Sequence, residues 1–462
     1  MKRLYSMCLI GMLLFLSGCE LQTEIFQAAE NGEELEIPGN LGEAGEISYT
    51  VPQSRPNVMV DQTGYRPDGK KVAVFVCGQK TENLHFRVVE AGTERIVFRG
   101  ITEEKGMDET TGEYISYGTF TEISVAGTYY VEADGLGRSC PFEIGADVYG
   151  AVYRRIYQVL EEGAGADGVW GNCFVLTNLL MSYELYPEIE ALELTDSAGE
   201  AEDGVPRIMS LGRSMMEKLC ALQSSKDGSL GGDATKTAAF AGVAGQFARL
   251  YQEYDASFAG SCRSAAEKAW SYAQKEKAEP DESYYAAAQL FRLTGKPQYH
   301  TFIKEYQERE DESEKGTYDM EIYGDVTYLM TEKNVDVELC KELMESRMDE
   351  VETIAKQAHE NLYQTVNGPD MEGADEMLQQ MVRLAVIDYV ITNHEYATVM
   401  ENHLHFFLGC NPQGISILGG IGEYSADGRK QNILKSAEES AELFFMMSAV
   451  LSHEMDRQQE AQ

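Results

Sequence analysis

The stretch AGTYYVEADGLGRSCPFEIGADVYG, residues 126–150, changes character along its length. Its early part, GTYYVEA (127–133), is rich in β-branched and aromatic residues and runs into the turn signal ADGLG. From Tyr149 onward the apolar residues recur at helical spacing. The chain therefore divides here, with strands before and helices after.

Working back from this junction, KVAVFVC (71–77) and LHFRVVE (84–90) have the same strand composition, and the turn signal PDGK precedes the first. Roughly ninety such residues, from Val58 to about Ile144, predict a small β-sandwich of immunoglobulin type. Working forward, Ile208, Leu211, Met215, Leu219 and Leu222 form one helical stripe. Phe240, Val243, Ala244, Phe247 and Tyr251 form a second, and Leu378, Met381, Val382, Ala385 and Tyr389 a third. About 300 residues of helix suffice for one large domain. Helices paired around a common centre are expected, although periodicity leaves a toroid and an open solenoid both open.

The N-terminus reads MKRLYSMCLIGMLLFLSGCE: two basic residues, an apolar run through Leu16, then Ser17, Gly18 and Cys19. This is the pattern of a signal peptide, too short for a stable span. Its LSGC ending resembles a bacterial lipobox, which implies cleavage before Cys19, lipidation of that thiol, and an extracellular protein tethered to the cell membrane. Residues 20–56 are rich in Glu and Gly with little apolar periodicity, the composition of a solvated acidic spacer. The expected organisation is thus leader 1–19, spacer 20–56, sandwich 57–146 and helical domain 147–457.

The chain of 462 residues carries 77 acidic against 38 basic side chains, a formal net charge of -39. Such a surface repels nucleic acid and anionic lipid headgroups, whereas neutral sugars meet no such barrier. Beyond Cys8 in the leader and Cys19, the cysteines are Cys77, Cys140, Cys173, Cys220, Cys262, Cys340 and Cys410. They are odd in number and none has CxxC spacing, so free thiols are expected rather than a disulfide framework or a zinc site. His403 and His405 stand two apart, a spacing that suits no helical metal site and points to structural roles. No cofactor is expected and no metal-ligating residues are singled out, while calcium binding is left open by the sequence.

Several stretches carry a family resemblance in order along the chain. VMVDQTGYRPDGKKVAVF (58–75) and residues 126–150 resemble the opening and the end of the immunoglobulin-like module that precedes the catalytic domain in many family 9 glycoside hydrolases. DATKTAAFAGVAGQFARLYQEYDASFAGSCRSAAEKAWSYA (233–273), YYAAAQLFRLTGKPQY (284–299) and HFFLGCNPQGISILGGIGE (405–423) are similar to stretches of the helical domain. The resemblance spans nearly everything after residue 57. It implies an immunoglobulin-like domain on an (α/α)6 barrel, and an ancestral inverting endoglucanase or cellulase activity on β-1,4-glucan.

It also exposes a departure. Where active relatives read approximately GGWyDAGD, with two aspartates that position and deprotonate the attacking water, this chain reads GVWGNCFVL (168–176). Gly171 and Asn172 stand where the aspartates would begin, and neither side chain can act as a base. Inverting hydrolysis needs a base on one face of the sugar and an acid on the other. Asp167, three residues before Trp170, is a candidate replacement base or simply a solvated turn carboxylate. The family's His-Arg pair is reduced to Arg429, a candidate sugar contact, and its Trp-Gly-Ser-Asn stretch appears as Glu372-Gly373-Ala374-Asp375.

The family's general acid is a Glu opening the last helix, and KSAEESAELFFMMSAVL (435–451) offers two. Glu438 shares a stripe with Ala441, Phe445 and Ser448 and should face the barrel centre. Glu439, followed at i+3 by Glu442, should face outward and is the alternative. Both also suit the positive end of a helix dipole. Trp270 reads as core, whereas Trp170, at the expected mouth, is a candidate sugar platform or a packing residue. The functions left open are a surface β-glucanase of weak or absent activity, a non-catalytic glycan-binding lipoprotein, and a partner-binding role for the immunoglobulin-like domain.

Overall fold

A computed structural model describes residues 42, 55–163, 168–191, 204–309, 320–366, 374–391, 394–418, 421–422, 434 and 436–460. The leader and nearly all of the spacer, and with them Cys19, lie outside the described residues, as do Asp167 and Arg429.

The strands build two sheets. One has the order β1 (Val58–Met59), β3 (Val72–Cys77), β7 (Tyr114–Thr119), β6 (Glu103–Met107). The other runs β2 (Gly64–Tyr65), β10 (Phe142–Ile144), β8 (Gly127–Ala133), β4 (His85–Glu90), β5 (Arg95–Ile101), with β9 (Gly137–Arg138) also on β8. All pairings are antiparallel except β10 with β2. The core between the sheets is filled by Val58, Ala73, Phe75, Phe86, Val88, Tyr129, Val131 and Phe142.

Strand β3 explains how the two halves meet. All six of its residues are buried, where a strand with one wet face would alternate. Ala73 and Phe75 point into the sandwich core, whereas Val72, Val74 and Val76 join the apolar cluster of the helical domain, together with Met59, Ile115 and Tyr117. The sandwich therefore packs one sheet face onto helices. Polar contacts fix the register: Gln62 N–H donates to the Leu408 carbonyl at 3.0 Å, and Gln62 Nε2 to the Gly414 carbonyl at 3.0 Å.

The helices are α1 (Gly150–Gly163), α2 (Val169–Leu185), α3 (Arg207–Leu222), α4 (Ala234–Leu250), α5 (Ala256–Glu276), α6 (Pro280–Thr294), α7 (Pro297–Gln307), α8 (Glu321–Leu329), α9 (Val337–Glu360), α10 (Ala374–Ile391), α11 (Ala397–Phe407) and α12 (Ala437–Glu460). Helices α2, α4, α6, α8, α10 and α12 pack each on the next, and α12 closes back onto α2. The intervening helices form an outer layer. This closed ring is an (α/α)6 barrel, which resolves the toroid-or-solenoid alternative in favour of the toroid.

Local sequence sets the boundaries. Asp233, Asp255 and Asp336 cap α4, α5 and α9 through their carboxylates. Pro280 opens α6 at a position that needs no N–H, and Gly295 ends it in a left-handed turn. Inner helices such as α4 and α6 are buried nearly all round, whereas the outer α5 buries one stripe. The expected stripe on α3 holds except at its end, where Leu222 is exposed because the helix finishes at the surface. Trp270 is core, edge-on to Tyr299 and Phe302.

Candidate functional site

Each inner helix is preceded by an outer one running the other way, so the inner N-termini gather at one mouth of the barrel. Trp170, in the first turn of α2, is half-buried with its ring stacked on Phe174 at 5.3 Å. Its Nε1–H donates to Glu282 Oε1 at 3.0 Å. Glu282 is in the first turn of α6, so this bond crosses the mouth. Burial pushes the Glu282 carboxyl above the ordinary glutamate range, against the lowering effect of the Trp170 hydrogen bond. Neighbouring Asp281 accepts from Tyr306 OH at 2.8 Å.

The opposite side of the mouth belongs to α10 and α12. Glu438 is half-buried, Glu439 is 7% exposed and Glu442 is 2% exposed. This corrects the expectation that Glu439 faces outward: Glu442, read as the marker of a wet face, is itself buried. The i+3 spacing of two carboxylates placed them on one face correctly, but that face is the inside. Burial, reinforced by the negative charges of Glu439 and Asp375, holds the Glu442 carboxyl well above the ordinary range, despite Arg383 nearby.

Buried polar bonds stiffen the wall between these sides. Asp325 on α8 accepts from Tyr284 OH at 2.6 Å and from Arg347 Nε at 2.6 Å. Arg347 also pairs with Glu321 at 3.1 Å and Glu350 at 2.7 Å, and Glu350 reaches Arg383 at 3.3 Å. Helix α2 contributes no such charge at the mouth. Its first carboxylate is Glu184, at its far end, paired with Arg249 and at 2.7 Å with Arg292. Asn172, at the position of the family's aspartates, is 8% exposed and donates from Nδ2 to the Gly168 carbonyl at 3.0 Å.

Of the residues singled out in the sequence, the structure thus brings Trp170, Glu438 and Glu439 to one mouth, with Asp167 and Arg429 outside the described residues. Glu282 and Glu442 were missed. The clue to Glu282 was an acid pair straight after Pro280, at a helix start. Among the described residues, the cysteines are free thiols. His403 and His405 are structural: His403 Nε2 accepts from Val366 N–H at 3.0 Å, and burial pushes its pKa down to about 4. Among the described residues one cluster of metal-ligating type, Asp388, His394 and His453, lies at the other end of the inner helices.

Comparison with known proteins agrees with this architecture. Residues 53–138 match the cellulase N-terminal Ig-like domain and residues 212–440 match glycosyl hydrolase family 9. A cellulose 1,4-beta-cellobiosidase of Acetivibrio thermocellus is 32% identical over 108 residues, 22% of this chain and only 12% of that relative. The solved thermostable endoglucanase of Alicyclobacillus acidocaldarius, as its D468A mutant, superposes with a TM-score of 0.73 at 16% identity, over 87% of this chain and 100% of that one. A metagenome-derived family 9 endoglucanase gives 0.74 at 18% identity, over 86% and 99%. A β-sandwich of immunoglobulin type on a closed ring of paired helices, with both sequence patterns in tandem, places the chain in glycosyl hydrolase family 9.

Proposed function

We propose that the protein is a cell-surface lipoprotein that binds β-1,4-glucan chains in the mouth of its barrel and hydrolyses them weakly or not at all. The observation that carries this reading is the start of α2. Trp170 stands at the mouth, but Gly171 and Asn172 follow it, and no carboxylate occurs on the helix before Glu184. The acid side of an inverting pair has candidates in Glu438 and, alternatively, Glu439. On the base side Glu282 faces the same mouth, but its carboxylate is half-buried and engaged by the Trp170 Nε1–H at 3.0 Å. Asp167 remains the candidate replacement base, with Arg429 and Trp170 as sugar contacts. The lipobox-like LSGC supports anchoring through Cys19, and the acidic spacer would hold the two folded domains off the membrane. The net charge of -39 favours a neutral glycan over nucleic acid.

Calorimetric titration with cello-oligosaccharides beside a reducing-sugar assay on soluble β-glucan tests this. Binding should be measurable, and Trp170→Ala should weaken it by the stacking contribution, about 0.5–1.5 kcal/mol. Turnover should fall short of an ordinary glycosidase by at least the 10²–10⁴-fold that a positioned base supplies, and Glu438→Gln should abolish what is left. Ordinary turnover that collapses in Asp167→Asn or Glu282→Gln would identify a relocated base and overturn the weak-activity reading. A non-catalytic glycan binder is the alternative if no turnover survives at all. Absence of binding to any glucan would remove the sugar hypothesis.

A further inference from the structure

The C-terminal ends of the inner helices form the barrel's second mouth, which holds an open pocket of about 670 Å³. Its walls include Tyr186, Glu188, Tyr389 and His394. Beside it the Asp388, His394 and His453 donors converge within 4.8 Å of one another. His394 Nδ1 is 3.1 Å and His453 Nε2 is 2.8 Å from the same carboxylate oxygen, Asp388 Oδ2. The two imidazole rings lie 4.0 Å apart, centroid to centroid.

We propose that Asp388, His394 and His453 form a binding site for one divalent first-row metal ion, with Zn²⁺ the ion the donor set suits best. Two imidazole nitrogens and one carboxylate oxygen are the ligand types of three-ligand zinc sites that leave a fourth position for water. Tetrahedral ligands about 2.0–2.1 Å from zinc stand about 3.3 Å from one another. The separations of 2.8 and 3.1 Å to Asp388 Oδ2 reach this with shifts of a few tenths of an ångström. The orienting contact is also present, because Asp388 Oδ1 accepts the Tyr396 N–H at 2.9 Å and so turns its other oxygen to the imidazoles. Asp388 and His453 are buried on two inner helices, whereas the His394 side chain is 41% exposed and lines the pocket. The ion would enter from the pocket, and its open position would face it. Bound there, it would tie the loop carrying His394 to α10 and α12, at the end of the barrel away from Trp170 and Glu438.

The whole chain, stripped of metal by chelator and dialysed, is titrated with ZnCl₂ in a calorimeter, with bound zinc counted by elemental analysis. One zinc per chain is expected, and Co²⁺ should give the intense visible absorption of a four-coordinate site. His394→Ala removes an exposed ligand without disturbing a packed helix, and should weaken zinc binding by at least about tenfold while circular dichroism stays unchanged. His394→Gln provides a second variant should the first fold poorly. A folded wild-type chain that retains no stoichiometric zinc would overturn the proposal. So would His394 variants that bind zinc as the wild type does, or equal competition by Ca²⁺ and Mg²⁺, since either would assign the ion to the acidic surface.

Discussion

At the residue scale the mouth of the barrel holds two carboxyl groups, Glu282 and Glu442, that burial pushes above the ordinary glutamate range. Glu442 is 2% exposed and feels the charges of Glu439, Asp375 and Glu438, with Arg383 as the opposing cation. Its carboxyl is raised well above the ordinary range, so the folded state binds this proton more tightly than the unfolded chain does. The contribution to stability is full below the unfolded pKa and is lost as pH rises through the folded one. Every tenfold by which folding tightens the proton is worth about 1.4 kcal/mol. Glu442→Gln, neutral at every pH, should match the wild type in thermal unfolding near the unfolded glutamate pKa and exceed it increasingly toward neutrality. Melting curves across that range decide the matter. A variant that is less stable than the wild type at neutral pH would mean that the carboxylate is ionised and paired. The same crowding bears on function, since acids accumulate at this mouth while the start of α2 supplies no base.

At the scale of elements the ring is held by backbones brought close at glycine. Tyr284 and Tyr285 project to opposite neighbours of α6. A Cβ built on Gly324 of α8 would lie 2.5 Å from the Tyr284 ring, and one on Gly242 of α4 would lie 2.4 Å from the Tyr285 ring. Each ring therefore lies over the backbone of the adjacent inner helix, and its hydroxyl reaches past it to Asp325 or Gln246. Gly242→Ala and Gly324→Ala should each cost about 1–3 kcal/mol through overpacking, although alanine is the better helix former. Denaturant unfolding measures this, and a neutral or stabilising outcome in either would show that the tyrosine can move aside. Little of this was legible in advance. Helix existence followed from apolar spacing, and β3, β4 and β8 from their composition. Inner and outer helices were not separable, because in a helix buried all round the stripe that marks a face disappears: α4 read as a stripe from Phe240 to Tyr251 yet buries the polar Gln246 and Thr237 as well. Local motifs singled out Trp170 and Glu438, and both fall in the first turns of inner helices. Glu282 and the Asp388 cluster were not singled out, since their partners come from distant helices.

For the whole molecule the decisive feature is the shared face of the sandwich. Met59, Val72, Val74 and Val76 lie in one apolar cluster with Tyr149, Val152, Tyr153 and Ile156 of the barrel. The seam also carries a buried polar clasp. His405 Nδ1 is 2.9 Å from Asp61 Oδ2, and Tyr149 OH donates to the Gly64 carbonyl at 3.3 Å. Burial raises the Asp61 carboxyl, and the His405 hydrogen bond opposes that rise. A sandwich unfolding alone would strand this face of the barrel in water and break the clasp. The two domains should therefore scatter X-rays as one body and unfold in one transition, helical and sheet signals melting together. Met59 is 2% exposed and has no part in the mouth of the barrel. Met59→Ala should lower stability by about 2–5 kcal/mol, as loss of a buried methionine side chain usually does. The informative readout is which signal moves. In a coupled molecule the substitution shifts the melting of the helices as much as that of the sheets, although it lies in a strand. If calorimetry resolves two transitions and Met59→Ala moves only the one without helical signal, the domains fold independently and the seam is a contact without consequence for stability.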